Sequence, residues 1–189
     1  MNDVTPIVTE VFNLYREYGT EDYVGEPVSQ IEHMCQAGQL AIEEGYDLEI
    51  VLAAFFHDIG HLLDFKNPEK RMGQFGVVDH EKLGAQYLAQ RGFSKLITTL
   101  IANHVNAKRY LTFKYPDYYQ SLSEASKSTL VHQGGKMHQE EAFAFENESW
   151  FKYSIKLRKW DEAAKEVSVP LPDLEIFESR CYEHLAVRN

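Results

Sequence analysis

The chain has 189 residues, of which 44% are hydrophobic and 25% are charged, so it has the length and composition to bury a core of its own. Its 29 acidic and 19 basic side chains leave a formal net charge of −10. This balance argues against sequence-independent binding to nucleic acid, which needs a concentrated cationic surface. No apolar run approaches the ~20 residues that a membrane span requires. We therefore expect neither nucleic acid nor a membrane as a partner.

The beginning of the chain lacks the basic stretch followed by an apolar one that marks an export signal. Cys35 and Cys181 form no spaced metal motif and no disulfide framework, and we expect two reduced, buried thiols. Both features predict a cytoplasmic protein. They leave its oligomeric state open.

Apolar residues recur at helical spacing nearly throughout, and no series of alternating apolar residues predicts a strand. The all-α fold class follows. Caps, glycine stops and periodicity predict these helices in chain order: from Thr5-Pro6 to Gly19, 28–44 closed by Gly45, 48–59 capped by Asp47 and ended by Gly60, from Asp79 to Gly92, 95–107 capped by Ser94, 123–132, 140–147, 150–166, and a last one after Pro172 ending near Leu185. Residues 19–27 and 64–78 are predicted loops. Residues 108–120, with five Tyr or Phe side chains and Pro116, are predicted to form a structured loop.

Six potential metal ligands are spread over the predicted helices: His33, His57, Asp58, His80, His104 and Asp161. Neutral imidazole and carboxylate groups both suit first-row divalent or trivalent ions. Adjacent helical residues point about 100° apart, so His57 and Asp58 can reach one centre only at a helix end. An aspartate between two ions can bridge them with its two oxygens. Any one of these residues alone is more often an ordinary core or surface residue, but the joint pattern indicates a metal site.

The order His33, His57-Asp58, Asp161 resembles that of the HD-domain superfamily, and the segment H-D-I-G-H over 57–61 is similar to its characteristic core. The resemblance implies one HD-type helical domain over residues 1–189. Two further histidines resemble the subset of the superfamily that holds two metals. By this resemblance His33, His57, Asp58 and Asp161 hold one ion, and Asp58 bridges to a second ion held by His80 and His104.

The segment before the first ligand reads G-T-E-D-Y-V-G-E-P-V-S-Q-I-E-H over 19–33. It is similar to the small mixed-valent diiron HD oxygenases that cleave hydroxylated aminoethylphosphonates. In that family a tyrosine occupies an iron position until substrate displaces it, and a glutamate three residues later contacts the amino end of the substrate. Tyr23 and Glu26 match that spacing. The resemblance implies catalytic and substrate-binding roles for both, two iron ions as an Fe(II)/Fe(III) pair, and O2 as co-substrate.

A phosphonate carries nearly two negative charges and is bound by Lys, Arg and other hydrogen-bond donors. Lys108 lies one helical turn after His104, and Arg158 lies three residues before Asp161. His61 and Ser126 are further candidates, because the family uses matching basic and hydroxyl residues around the phosphonate.

The reaction implied is oxidative cleavage of the C–P bond of a small organophosphonate to phosphate and a carboxylic acid. The acid is glycine for a primary amine and glycine betaine for a trimethylammonium group. Glu26 favours the first and the many aromatic residues favour the second, so the sequence leaves the choice open. A two-metal HD phosphohydrolase acting on a phosphate ester accounts for the metal ligands and Lys108 but leaves Tyr23 without a role. A non-catalytic, anion-binding HD domain is a third alternative, although such domains usually lack ligands that are all present in this chain.

Overall fold

The computed structural model describes residues 3–23, 25–66, 79–171 and 173–188. Within these ranges the fold is all-α, as predicted, and the strand-type pairing is limited to an isolated bridge between Asp22 and Ser29. The helices of these ranges are α1 (Thr5–Tyr18), α2 (Gln30–Glu43), α3 (Leu48–Phe56), α4 (Ile59–Lys66), α5 (His80–Ala89), α6 (Lys95–Lys114), α7 (Pro116–Ser121), α8 (Glu124–His132), α9 (Gln139–Glu146), α10 (Phe151–Ala163) and α11 (Leu174–Arg188).

The short apolar helix α3 lies at the centre of the core. Each of its residues from 50 to 56 is buried, and α2, α6, α10 and α11 all pack against it. Phe55 stacks between Tyr15 of α1 and Phe177 of α11, with ring centroids 4.7 and 4.2 Å away. A helix that is apolar on every side must be covered on every side, which explains why α3 organises the elements around it.

The loop predicted over 108–120 is wrong, because α6 continues to Lys114 and Pro116 begins α7. The C-terminal half of α6 turns an apolar face with Tyr110 and Leu111 toward Phe145 of α9, and these residues share a second hydrophobic cluster. Burial of this face outweighs the modest helix propensity of the aromatic residues that suggested a loop. Pro116 fits because a proline is tolerated in the first turn of a helix.

The helix predicted over 48–59 is two helices in the structure. α3 ends at Phe56, residues 57–58 form a turn, and Gly60 lies inside α4 rather than ending a helix. A Cβ atom on Gly60 would lie 2.0 Å from the carbonyl oxygen of His80. The glycine is therefore required for the close approach of α5 to α4, and the turn before it places two predicted ligands at a helix end.

The predicted starts of the helices agree with the structure better than the predicted side-chain caps do. Ser94 accepts a hydrogen bond from the amide of Ile97, as a cap should. Asp47 and Asp79 stand at the predicted cap positions without a side-chain capping hydrogen bond, and the cap residue of α1 is Val4 rather than Thr5.

Of the irregular segment predicted over 64–78, residues 64–66 are the end of α4 and the rest lie outside the described residues. None of the described helices is both long and apolar enough to cross a membrane.

Candidate metal and anion site

The six predicted ligands converge on one buried centre from five parts of the fold. They come from α2, the turn between α3 and α4, the first residue of α5, the middle of α6 and the end of α10, and each residue is at most 4% exposed: His33, His57, Asp58, His80, His104 and Asp161. The packing of the core therefore holds four imidazoles and two carboxylates close together, although their burial is costly in desolvation.

One oxygen of Asp58 faces a first cluster. Asp58 Oδ2 lies 3.5 Å from His33 Nε2 and 3.4 Å from His57 Nε2. Asp161 Oδ1 approaches the same group and lies 3.5 Å from His33 Nε2. The two imidazole nitrogens are 3.0 Å apart, which is a spacing suited to two ligands that share a partner.

The other oxygen of Asp58 faces a second cluster. Asp58 Oδ1 lies 3.3 Å from His80 Nε2 and 3.3 Å from His104 Nε2. These two nitrogens are 3.1 Å apart. Asp58 thus stands between two pairs of histidines with one oxygen toward each, as expected for a bridging carboxylate.

Among the described residues, backbone carbonyl groups orient the imidazoles of His33, His57 and His104. Each Nδ1 donates to a carbonyl oxygen: His33 to Ala164 at 2.9 Å, His57 to Ala54 at 2.8 Å, and His104 to Ile101 at 2.8 Å. A carbonyl oxygen can only accept, so Nδ1 carries a proton and Nε2 is the atom available for coordination. All three Nε2 atoms point to the centre, which is the arrangement that metal-binding histidines require.

The residues present fit a pair of cations. Asp58 Oδ1 and Asp161 Oδ1 are buried and accept no hydrogen bond within the described part of the chain. A buried carboxylate oxygen without a partner is costly, and a cation removes that cost. The donor set of imidazoles and carboxylates suits first-row transition metals, iron among them.

The electrostatics of the first cluster agree with this fit. Burial by itself would raise the pKa of Asp58, but the charge of His57 and hydrogen bonds from the surrounding imidazoles hold that pKa well below its usual range. Burial likewise opposes the charge of His57, yet neighbouring Asp58 raises the pKa of His57 to about 9. A metal ion therefore competes with a proton at this cluster and releases it on binding.

Tyr23 lies against the first cluster. Its ring stacks on His33 with centroids 4.0 Å apart and an angle of 12° between the planes, and its edge faces His61 at 6.5 Å. Burial raises the pKa of Tyr23 well above its usual value, and the charges of Asp58 and Asp161 add to this effect. The structure thus brings the predicted tyrosine to the ligands as a neutral phenol.

Glu26 joins the loop of Tyr23 to two other elements. Its Oε1 accepts a hydrogen bond from the hydroxyl of Ser123, the residue that caps α8, and pairs with the ammonium of Lys165 just after α10. Lys165 Nζ also lies 6.0 Å from the ring centroid of Tyr23. A cavity of about 530 Å³ is lined by Tyr23, Glu26 and other residues between 22 and 32. Sequence reasoning missed Lys165, although it lies four residues after Asp161.

Lys108 is buried and within hydrogen-bonding distance of one hydroxyl. Its Nζ donates to Thr129 Oγ1 at 3.0 Å. Burial lowers the pKa of Lys108 to about 7, and the nearby positive charge of Arg158 contributes. A buried ammonium that is readily deprotonated gains much from an anion beside it. Sequence reasoning missed Thr129, which lies one turn after Ser126 on α8.

Arg158 is tied to a metal ligand. Its Nη1 donates to Asp161 Oδ2, while its Nε donates to the hydroxyl of Tyr118 at 3.0 Å and to Glu162 Oε1 at 3.1 Å. Burial would raise the pKa of Asp161, but the charge of Arg158 more than offsets this and lowers it. Tyr118 was missed because residues 108–120 were predicted to be a loop, and Glu162 was missed because an acidic residue on a predicted helix resembles a solvated one.

The two remaining predicted residues have different surroundings. His61 stacks on His80 at 4.1 Å, and Asp58, His61 and His80 offer ligand atoms within 4.8 Å of one another. Burial lowers the pKa of His61 to about 3, so this imidazole is neutral. Ser126 lies half-buried on α8, where its amide donates to Ser123 and its carbonyl accepts from Thr129.

Comparisons with known proteins identify one matching family model and several similar proteins. The model of the HD domain family matches residues 31–150. An uncharacterized protein of Acanthamoeba polyphaga mimivirus is 43% identical over 186 residues, which cover 98% of this chain and 85% of that protein. The 1-hydroxy-2-(trimethylamino)ethylphosphonate dioxygenase (glycine-betaine-forming) of Leisingera caerulea is 39% identical over 172 residues, covering 88% and 84%. The hydroxymethylphosphonate dioxygenase of Gimesia maris is 37% identical over 180 residues, covering 94% and 89%.

Proposed function

The chain belongs to the HD-domain family, and on that premise we propose that it is an oxygenase that uses O2 to break the C–P bond of a small 1-hydroxyphosphonate. One observation carries the proposal. Asp58 presents one oxygen to His33 and His57 and the other to a separate histidine pair. Two relatives with names that specify hydroxylated phosphonates and dioxygenase chemistry support the reaction class.

The proposed cofactor is a mixed-valent Fe(II)/Fe(III) pair, which supplies the activation of O2. The residues that would hold it are His33, His57, Asp58 and Asp161 for one iron, and Asp58, His80 and His104 for the other. The second group has fewer protein donors. It therefore leaves more room beside it for a substrate oxygen.

The proposed phosphonate site is the cationic wall formed by Lys108 and Arg158. Lys108 is held beside the hydroxyl of Thr129, so an ammonium and a hydroxyl can donate together to one phosphonate group. The pKa of Lys108 lies at about 7, and a bound dianion favours its protonated form. Neutral His61 is a further donor or acceptor at the edge of the second cluster.

Tyr23 and Glu26 form the opposite wall in this proposal. Tyr23 covers the first cluster and keeps water from it, while the substrate oxygen is proposed to bind beside the second. A primary ammonium on the substrate would compete with Lys165 for Glu26, whereas a trimethylammonium group has no N–H to donate. A substrate without an amine, such as hydroxymethylphosphonate, leaves the Glu26–Lys165 pair in place.

The proposed reaction balances without an added reductant. A 1-hydroxyphosphonate dianion and O2 give a carboxylate, hydrogen phosphate and one proton. The carbon that bears the hydroxyl is oxidised, O2 is reduced, and the C–P bond is broken. The products are formate, glycine or glycine betaine, according to the substituent on that carbon.

The test of this proposal is a product assay with iron-loaded protein under controlled O2. Hydroxymethylphosphonate, 1-hydroxy-2-aminoethylphosphonate and its N-trimethyl form are supplied separately, with a phosphate monoester as control. We expect phosphate release only with O2 and in step with the matching acid. Release of phosphate from the ester in the absence of O2 would instead identify a two-metal phosphohydrolase, the alternative that the same metal ligands allow.

Tyr23 favours the oxygenase over that hydrolase. A hydrolase needs water at the metals, and a half-buried, neutral phenol that stacks on His33 reduces the room for water at the first cluster. Exclusion of water benefits an oxygenase, because O2 should be activated only after the substrate has bound.

A further inference from the structure

Arg158 is the most heavily engaged side chain near the site, and its partners come from two elements. The guanidinium contacts Asp161 and Glu162 within α10 and the hydroxyl of Tyr118 on α7. Arg158 is 4% exposed, so the position of its planar fork is fixed by these contacts rather than by solvent.

Tyr118 completes a closed set of contacts around this guanidinium. Its hydroxyl accepts from Arg158 Nε and donates to Glu162 Oε1. Glu162 Oε1 in turn accepts from Arg158 Nε and lies 3.1 Å from Nη2. Tyr118 and Glu162 thus contact the guanidinium at Nε, while Nη1 is directed to Asp161.

This arrangement leaves one donor group for other use. Arg158 Nη2 is buried and lies 3.1 Å from Glu162 Oε1, but among the described residues it makes no hydrogen bond of good geometry. A buried donor with a poorly aligned contact gains from a better acceptor, and a phosphonate oxygen is the acceptor that the proposed function brings to this place.

We propose that Tyr118 and Glu162 are positioning residues that aim Arg158 at both Asp161 and the substrate phosphonate. The part that concerns phosphonate rests on the proposed function. The part that concerns Asp161 does not, because Asp161 is directed toward His33 whatever the reaction is. The aromatic segment at α7 is thereby linked to a metal ligand through a single guanidinium, which assigns it a role beyond packing against α6.

The test compares Tyr118→Phe and Glu162→Gln with Tyr119→Phe in the metal-loaded chain. Tyr119 is the adjacent tyrosine of the same helix and is 40% exposed, so its variant controls for the loss of a hydroxyl from α7. Two quantities are measured: the rate at which metal is lost to a chelator, and the affinity for inorganic phosphate as a probe of the anion site.

We expect Tyr118→Phe and Glu162→Gln each to lose metal about ten times faster and to bind phosphate about tenfold more weakly than wild type, as is usual when an outer partner of a metal ligand is removed. The double variant should show about the same tenfold change, because both residues act through Arg158 and their effects cannot multiply. Tyr119→Phe should match wild type.

Equal metal-loss rates in Tyr118→Phe and Tyr119→Phe would overturn the inference, even if the melting temperature of Tyr118→Phe fell. Effects that multiply to about a hundredfold in the double variant would also overturn it. Faster metal loss with unchanged phosphate affinity would limit the role of Tyr118 to Asp161 and contradict the phosphonate part. None of these readouts depends on C–P cleavage, which is judged separately by the product assay on wild-type protein.

Discussion

The two walls of the site are built in different ways. The ligand wall, made of the six predicted metal ligands, is at most 4% exposed, and among the described residues backbone carbonyl groups orient His33, His57 and His104. The loop wall consists of Tyr23, Glu26, Ser123 and Lys165, which are half-buried and joined by contacts between side chains. Contacts of the first kind persist while the core is folded. Contacts of the second kind are the ones that the proposed substrate would replace. The comparison therefore separates residues proposed to hold the metals from residues proposed to select the substrate.

The largest effect is expected at Asp58, the residue that would bridge the two proposed metals. Asp58→Asn removes the charge and one of two oxygens, so the two histidine pairs lose their common ligand. We expect both metals to be lost and O2-dependent phosphate release to fall by about a thousandfold or more, as a charged, buried partner is removed. Metal analysis and the phosphate assay measure this.

Asp22→Asn serves as the control, since Asp22 is an exposed aspartate of the nearby loop. An Asp58→Asn variant that kept two metals and most of its activity would contradict the role of Asp58 as the bridging ligand.

The next largest effect is expected at Gly60, where the backbones of α4 and α5 are in close contact. Gly60→Ala places a Cβ 2.0 Å from the carbonyl oxygen of His80, so α5 must move away and take a ligand with it. We expect the free energy of unfolding to fall by about 2–3 kcal/mol, a typical cost of overpacking, together with weaker binding of one metal.

Gly84→Ala, in the same contact, is the matched control. Its added Cβ would lie 2.9 Å from a methyl group of Ile59 and 3.1 Å from the amide nitrogen of Gly60, less close than the 2.0 Å contact at Gly60, so denaturant unfolding should show a smaller loss. Equal losses in the two variants would argue against a special role for Gly60.

A smaller effect is expected at the cationic wall. Lys108→Met removes one charged donor, and we expect kcat/KM for the phosphonate to fall by about a hundredfold. The pH dependence gives a second readout. Because the pKa of Lys108 lies at about 7, wild-type affinity should weaken as pH rises through that value and the ammonium loses its proton.

The Lys108→Met variant should lack this alkaline limb, and Lys127→Met, which removes a lysine paired with Glu124 on α8, should keep it. An alkaline limb that survives in Lys108→Met would assign the titration to another group.

The smallest effect is expected at Glu26 in the loop wall. Glu26→Gln weakens the pairing with Lys165 and removes the carboxylate that an ammonium would need. We expect a loss of about tenfold in kcat/KM for 1-hydroxy-2-aminoethylphosphonate and little change for hydroxymethylphosphonate. Steady-state kinetics on both substrates measure the ratio. The same factor on both would mean that Glu26 does not sense the amine.

The sequence predicted the all-α fold class because helical periodicity and caps such as Ser94 are local signals. It could not predict the end of α3 before His57 or the place of Gly60 inside α4, since both depend on the tertiary approach of α5. The His57-Asp58 pair and the resemblance to the HD-domain superfamily suggested six metal ligands, and the structure brings these six side chains to one buried centre.

Lys165, Thr129 and Tyr118 were missed for a physical reason. A lysine that pairs with Glu26 has the same sequence pattern as a solvated one, because the partner is 139 positions away. Tyr118 was assigned to a loop since the cluster that makes α6 continue forms only when α9 packs against it. Side chains that act through distant partners carry no local signal.

The measurement that tests the central claim most directly is spectroscopy of the iron-loaded chain, with the iron content determined on the same sample. Two oxygens of Asp58 that face two histidine pairs predict two irons per chain, with their spins coupled through the bridge in EPR and Mössbauer spectra. Asp58→Asn should abolish that coupling. One iron per chain, or two irons with independent spins in the wild-type protein, would contradict the bridge and with it the account of this site.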